Sequence, residues 1–162
     1  MTVPSRRTVP AQLQIDAILS HLDGRQALEE VCRFLNASFP HYAWVGIYRT
    51  EGAELALVAW DGRGPTEHTR IPISRGICGR AAREGRSVIV DDVRSSTEYL
   101  ACFLETRAEI VVPIRGEGAV LGEIDIDGNE VGAYDDSDRR FLEAVAAKLT
   151  SALEGISSEP PA

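Results

Sequence analysis

Three of the 162 residues are cysteine, one is methionine and only 6% are aromatic. So few cysteines, odd in number, argue against a secreted disulfide framework, and without a CxxC pair nothing suggests a structural zinc site. Any disulfide is expected to be transient and chemical. Cations are scarce too, with 17 Lys and Arg against 25 Asp and Glu for a formal charge of -8. That balance sets nucleic acid aside as a partner, because such affinity comes mainly from neutralising phosphates. No apolar run approaches the ~18 residues of a bilayer span, and the opening MTVPSRRTVP lacks a signal-peptide core. A cytoplasmic chain with no membrane partner is expected.

What remains is globular in composition, 44% hydrophobic and 26% charged. The length suits a single domain over 1–162, with residues 1–10 and 156–162 as loose tails. Apolar residues recur at helical spacing from Ala11 to Leu22 and again from Arg25 to Ser38. Short β-prone runs follow at Ala43–Arg49, Leu55–Trp60 and Arg70–Ile73. Gly76–Glu84 reads as a short helix closed by Gly85, and Ser87–Val90 as a further strand. After a long loop come Glu109–Arg115 and Ala119–Asp127, joined by Gly116, Glu117 and Gly118 as a three-residue hairpin loop. A last helix from about Ser137 to Glu154 is capped by the cluster Asp135–Asp138. The order predicts an α+β fold: an antiparallel sheet of about six strands, terminal helices on one face and ligand loops on the other.

The long hairpin carries the strongest chemical signal. If Arg115 opposes Ala119, then Glu109 opposes Asp125, and strand alternation sorts the side chains. Ile110, Val112, Ile114, Val120, Ile124 and Ile126 form an apolar face. Glu109, Glu123, Asp125 and Asp127 share the other, with Val111, Pro113 and Leu121. Such a face is a solvated surface, a metal site or an acid cluster holding a polar ligand. The metal alternative fits poorly: Asp125, Asp127 and Asn129 imitate a calcium loop, but its sixth position is Glu130 and its twelfth Asp136. Crowded carboxyls raise one another's pKa, so one can stay protonated and donate.

Cys78, in Arg75-Gly76-Ile77-Cys78-Gly79, falls where a strand gives way to a helix. Helix N-terminal charge and Arg75 would lower its pKa; the alternative is a small buried residue in a tight turn. Cys102 sits in the long loop, with packing and chemistry both open. Cys32 lies on a helical apolar stripe and reads as core. Trp44, Tyr48 and Trp60 fall on the first two strands, as core or as pocket wall. His21, His41 and His68 show no metal-ligand spacing and are assigned no chemistry. The apolar stripes of the terminal helices allow a homodimer, or packing on the chain's own sheet.

Several segments together resemble a known pattern: Trp44-Val45-Gly46-Ile47-Tyr48, Arg70-Ile71-Pro72-Ile73-Ser74-Arg75-Gly76-Ile77-Cys78-Gly79, Leu100-Ala101-Cys102 followed seven residues later by Glu109-Ile110-Val111-Val112-Pro113, and Gly122-Glu123-Ile124-Asp125-Ile126-Asp127. From Trp44 to about Leu153 the chain resembles a GAF domain, and more narrowly the free methionine-R-sulfoxide reductases. The resemblance implies that Cys102 attacks the sulfoxide sulfur and that another cysteine resolves the sulfenic acid. It implies that Glu109, Asp125 and Asp127 hold the ligand and protonate the departing oxygen, and that Trp44, Tyr48 and Trp60 wall the pocket. Thioredoxin would reduce the disulfide, with no bound cofactor and no metal. The family usually has a further cysteine just before the Arg-Ile-Pro segment, where this chain has His68, so Cys78 is left to resolve. Phe103 and Ala108 replace the usual Asp and Ser. Those departures leave a non-catalytic GAF module, binding a small molecule or signalling, as the alternative.

Overall fold

The structure is a computed structural model that describes residues 8–97, 99 and 103–156. Its elements are α1 (Thr8–His21), α2 (Gly24–Ser38), β1 (Trp44–Glu51), β2 (Glu54–Gly62), β3 (Arg70–Pro72), α3 (Gly76–Glu84), β4 (Val88–Val90), β5 (Ala108–Gly116), β6 (Ala119–Gly128), α4 (Asp136–Lys148) and α5 (Thr150–Glu154). The six strands form one antiparallel sheet in the order β3-β2-β1-β6-β5-β4. α1 begins three residues before the expected start at Ala11. The expected last helix is two, because the backbone turns at Leu149 between α4 and α5. Gly85 closes α3 in the left-handed conformation at φ 64°, as its position predicts. Asp135 caps α4 through a reciprocal capping box with Asp138.

Two apolar layers flank the sheet. The larger packs Ile15, Leu28, Val31, Leu35, Phe141, Leu142, Val145 and Leu149 onto Val45, Ile47, Ile110, Val112, Ile124 and Ile126. The helical stripes are therefore covered by the chain's own sheet, and Cys32 lies among them as filler. Burial pushes its thiol well above the ordinary range. The smaller layer, under α3, joins Trp44, Tyr48, Leu55, Ile71, Ile77, Cys78 and Val111.

The β5–β6 register departs from the expected one and yet keeps its faces. Glu109 opposes Asp127, not Asp125, while Gly116 pairs with Ala119 across the two-residue turn Glu117–Gly118. The tighter turn shifts the register by one residue. A bulge then shifts it again, since Ile114 opposes Gly122 but Arg115 opposes Val120, leaving Leu121 as the extra residue. Two odd shifts restore the parity, so the carboxyl residues stay on one side. Only the bulge itself is misassigned: Leu121 packs on the helical layer, whereas the sequence places Val120 there.

Candidate functional site

Strand β1 runs beside β6 with Trp44 opposite Asp127, Gly46 opposite Asp125 and Tyr48 opposite Glu123. Alternation therefore puts the aromatic pair on the carboxyl face. Gly46 makes this possible: a Cβ there would fall 2.3 Å from the Trp44 ring, so only glycine lets the indole lie flat along its own strand. Trp44 donates its indole N–H to the Gly64 carbonyl at 3.1 Å. It stacks on Trp60 at 6.5 Å and 12°, and meets Phe103 at 6.0 Å. Trp60, 37% exposed, covers the outer side of this stack. The Arg63 guanidinium lies 5.0 Å from the Phe103 ring.

All four carboxyl residues of the hairpin are buried, with exposures of 5% for Glu109, 0% for Glu123 and 2% for both Asp125 and Asp127. The solvated-surface alternative fails because α3 packs over β5 and β6 and covers this face of the sheet. The calcium-loop alternative fails as well, since Asp125 and Asp127 lie inside β6 rather than in a loop. Burial is the main reason that Glu123, Asp125 and Asp127 are held above the ordinary carboxyl range. Asp125 and Glu109 have facing oxygens within 4.8 Å of each other, and the interaction with Glu109 works against the rise of Asp125. Two crowded, buried carboxyl groups resist ionising together, so the pair is suited to hold a proton. Asp127 accepts a hydrogen bond from the Thr106 hydroxyl at 3.4 Å and feels the charge of Arg63. Neither oxygen of Glu123, nor Oδ1 of Asp125, has a hydrogen-bond partner of ordinary geometry among the described residues.

Cys78 projects from the first turn of α3 into this cluster. Its Sγ is 3.8 Å from Oε1 of Glu109, and the facing donor atoms of Cys78, Glu109 and Asp125 all lie within 4.8 Å of one another. The lowered pKa expected from the helix N-terminus is not found. Burial first, and then the charges of Asp125, Glu123 and Glu109, push the thiol well above its ordinary value. The partial charge of a helix end does not offset a desolvated, carboxyl-lined position.

A cavity of about 10 Å³, room for about one water, is bounded by His68, Ile71, Gly76, Ile77, Cys78, Glu109 and Asp125. His68 thus belongs to the site although no spacing rule selected it. Tyr48 fixes it there, donating its hydroxyl to the His68 carbonyl at 2.8 Å. Glu123 was legible on the correct face but not as a member of the site; its alternation with Asp125 and Asp127 was the available signal. Cys102, expected to be the nucleophile, lies outside the described residues.

Residues 24–154 match the GAF domain family. The free methionine-R-sulfoxide reductase of Saccharomyces cerevisiae is 38% identical over 105 residues, covering 64% of this chain and 58% of the yeast protein. Among solved structures, free methionine-R-sulfoxide reductase from Neisseria meningitidis, in complex with its substrate, superposes with a TM-score of 0.84 at 29% identity, over 95% of this chain and 94% of that one. The type II free methionine-R-sulfoxide reductase from Thermoplasma acidophilum gives 0.75 at 32% identity, over 91% and 95% of the two chains. With the family match spanning most of its length and the six-stranded sheet and helical layer in place, the chain belongs to the GAF domain family.

Proposed function

We propose that this chain reduces free methionine-R-sulfoxide to methionine by thiol chemistry. The observation that carries the proposal is the buried carboxyl cluster of Glu109, Asp125 and Asp127 set against the Cys78 thiol, in a chain similar to several free methionine-R-sulfoxide reductases. The thiol of Cys102 attacks the sulfoxide sulfur to form an S–S bond; the protonated oxygen then passes from the methionine sulfur to the Cys102 sulfur as the S–O and S–S bonds break, so methionine leaves as the reduced thioether and Cys102 is oxidised to a sulfenic acid. The departing oxygen takes up a proton, and a protonated carboxyl in the Glu109–Asp125 pair is its source. Cys78 then attacks the sulfenic sulfur, releasing water and forming a Cys78–Cys102 disulfide. A burial-raised thiol is a poor first nucleophile but a serviceable resolver, because Glu109 is placed to accept its proton as it reacts.

The same carboxyl groups give a reason for preferring the free amino acid. An α-ammonium group pairs with carboxylates, and a peptide-bound sulfoxide has none to offer. Trp44 and Tyr48, with Trp60 outside them, supply the apolar wall for the thioether end. Thioredoxin, a cytoplasmic dithiol, reduces the disulfide and returns both thiols.

The test is thioredoxin-coupled NADPH oxidation with free L-methionine-R-sulfoxide, the S epimer and a peptide-bound sulfoxide. Steady turnover on the free R epimer alone is expected. A folded chain that turns over none of the three would overturn the proposal and leave a ligand-binding GAF module.

A further inference from the structure

We propose that Cys78, Glu109 and Asp125 form a binding site for a single zinc ion, which blocks the resolving thiol. The three donors come from rigid elements, Cys78 from α3, Glu109 from β5 and Asp125 from β6, and lie within 4.8 Å of one another. Cys78 Sγ and Glu109 Oε1 are 3.8 Å apart. Two ligands of one tetrahedral zinc, with bonds of about 2.3 Å to sulfur and 2.0 Å to oxygen, stand about 3.5 Å apart. Closing the remaining gap requires only side-chain adjustment.

A second observation points the same way. Asp125 is 2% exposed, its Oδ1 has no hydrogen-bond partner among the described residues, and it forms part of the wall of the cavity of about 10 Å³. A space of that size suits one ion or one water. Buried polar atoms without partners are rare and costly, so this one needs a reason. Glu123, wholly buried and with neither oxygen in a hydrogen bond of ordinary geometry among the described residues, adds a further acid that interacts with Cys78. A dication meets all of these groups at once.

The donor set selects the metal. Calcium and magnesium require six or more oxygen ligands, which a site built on a thiol cannot supply. Thiolate, carboxylate and imidazole together suit zinc. His68, on the wall of the same cavity, or a water completes the four. Zinc held here occupies the Cys78 sulfur, so the sulfenic acid on Cys102 goes unresolved. That consequence for turnover rests on the reductase proposal; the binding does not.

The test uses the full chain with Cys32→Ser and Cys102→Ser, leaving Cys78 as its single thiol, with cobalt(II) as the spectroscopic probe and zinc as competitor. One cobalt per chain, a thiolate-to-cobalt charge-transfer band, and its displacement by one equivalent of zinc are expected. Adding Cys78→Ser should abolish the band. The near-isosteric Asp125→Asn should weaken zinc binding at least tenfold, with circular dichroism confirming that each variant is folded. A folded chain without the band, or a band that Asp125→Asn leaves at full affinity, would overturn the site. None of these readouts uses substrate, so metal binding is decided separately from reductase activity.

Discussion

Cys78 Sγ lies 3.8 Å from Glu109 Oε1, so the thiol at the start of α3 faces an acid across a desolvated gap. Coulomb repulsion between a thiolate and a carboxylate is strong where water is excluded, and it reinforces the burial cost. The thiol is therefore expected to be slow toward alkylating reagents. Iodoacetamide at pH 7.5 should label Cys78 at least ~10-fold more slowly than a free cysteine, because reactivity follows the thiolate fraction. Glu109→Gln removes the facing charge and should speed the labelling. Quantifying the Cys78 peptide by mass spectrometry over time provides the check, and rapid labelling of the native protein would contradict the buried, acid-lined position.

Glu123 predicts an unusual dependence of stability on pH. Burial raises its folded pKa well above the unfolded value near 4.5. The folded state then binds more protons than the unfolded one between those two values, so stability is greatest below the unfolded pKa and falls as pH rises toward the folded one. Each pH unit of that window costs about 1.4 kcal/mol. Glu123→Gln keeps the shape and removes the titration. It should raise the melting temperature at pH 7 to 8, change little near pH 4, and flatten the slope between them. A variant with an unchanged slope would show that Glu123 is not the group responsible.

How much of this site was legible depended on parity more than on register. The sequence placed Glu109, Glu123, Asp125 and Asp127 on one face, and they share it even though Glu109 opposes Asp127 rather than Asp125. Alternation survives an even slip, so the grouping was safe while the pairing was not. Depth was not legible. Charged alternation reads the same on a wet sheet and on one covered by a short helix, and only the crossing of α3 over the acids decides which it is. The acidity of Cys78 was misjudged for the same reason, since helix position is local whereas the carboxyl groups arrive from β5 and β6. The break at Leu149 had no signal, because the apolar stripe runs on through Leu149 and Leu153.

Gly46 ties the fold to the aromatic wall. A methyl group there would meet the Trp44 ring at 2.3 Å. Gly46→Ala must therefore swing the indole away from its strand, disturbing its stacking on Trp60 and its hydrogen bond to the Gly64 carbonyl. Overpacking of this kind costs about 1 to 3 kcal/mol. Denaturant unfolding should show that loss, and a shifted tryptophan emission maximum should accompany it. An unchanged spectrum with full stability would mean that the ring does not lie where its contacts place it.

The two reacting thiols have unequal roles, and single-turnover chemistry separates them. Without Cys102 no sulfur attacks the sulfoxide, so Cys102→Ser should release no methionine. Cys78→Ser leaves the attack intact but removes the group that converts the sulfenic acid to a disulfide. That variant should release about one methionine per chain and then stall, because thioredoxin acts on disulfides and not on the sulfenic acid left behind. A sulfenic-acid trap such as dimedone should mark Cys102 in the stalled protein and fail to do so in the wild type after reduction. Sustained turnover by Cys78→Ser would remove Cys78 from the cycle, since Cys32 is fully buried among the helices and is no substitute. Turnover by Cys102→Ser would remove the nucleophile itself, and with it the assignment of the first step to that thiol.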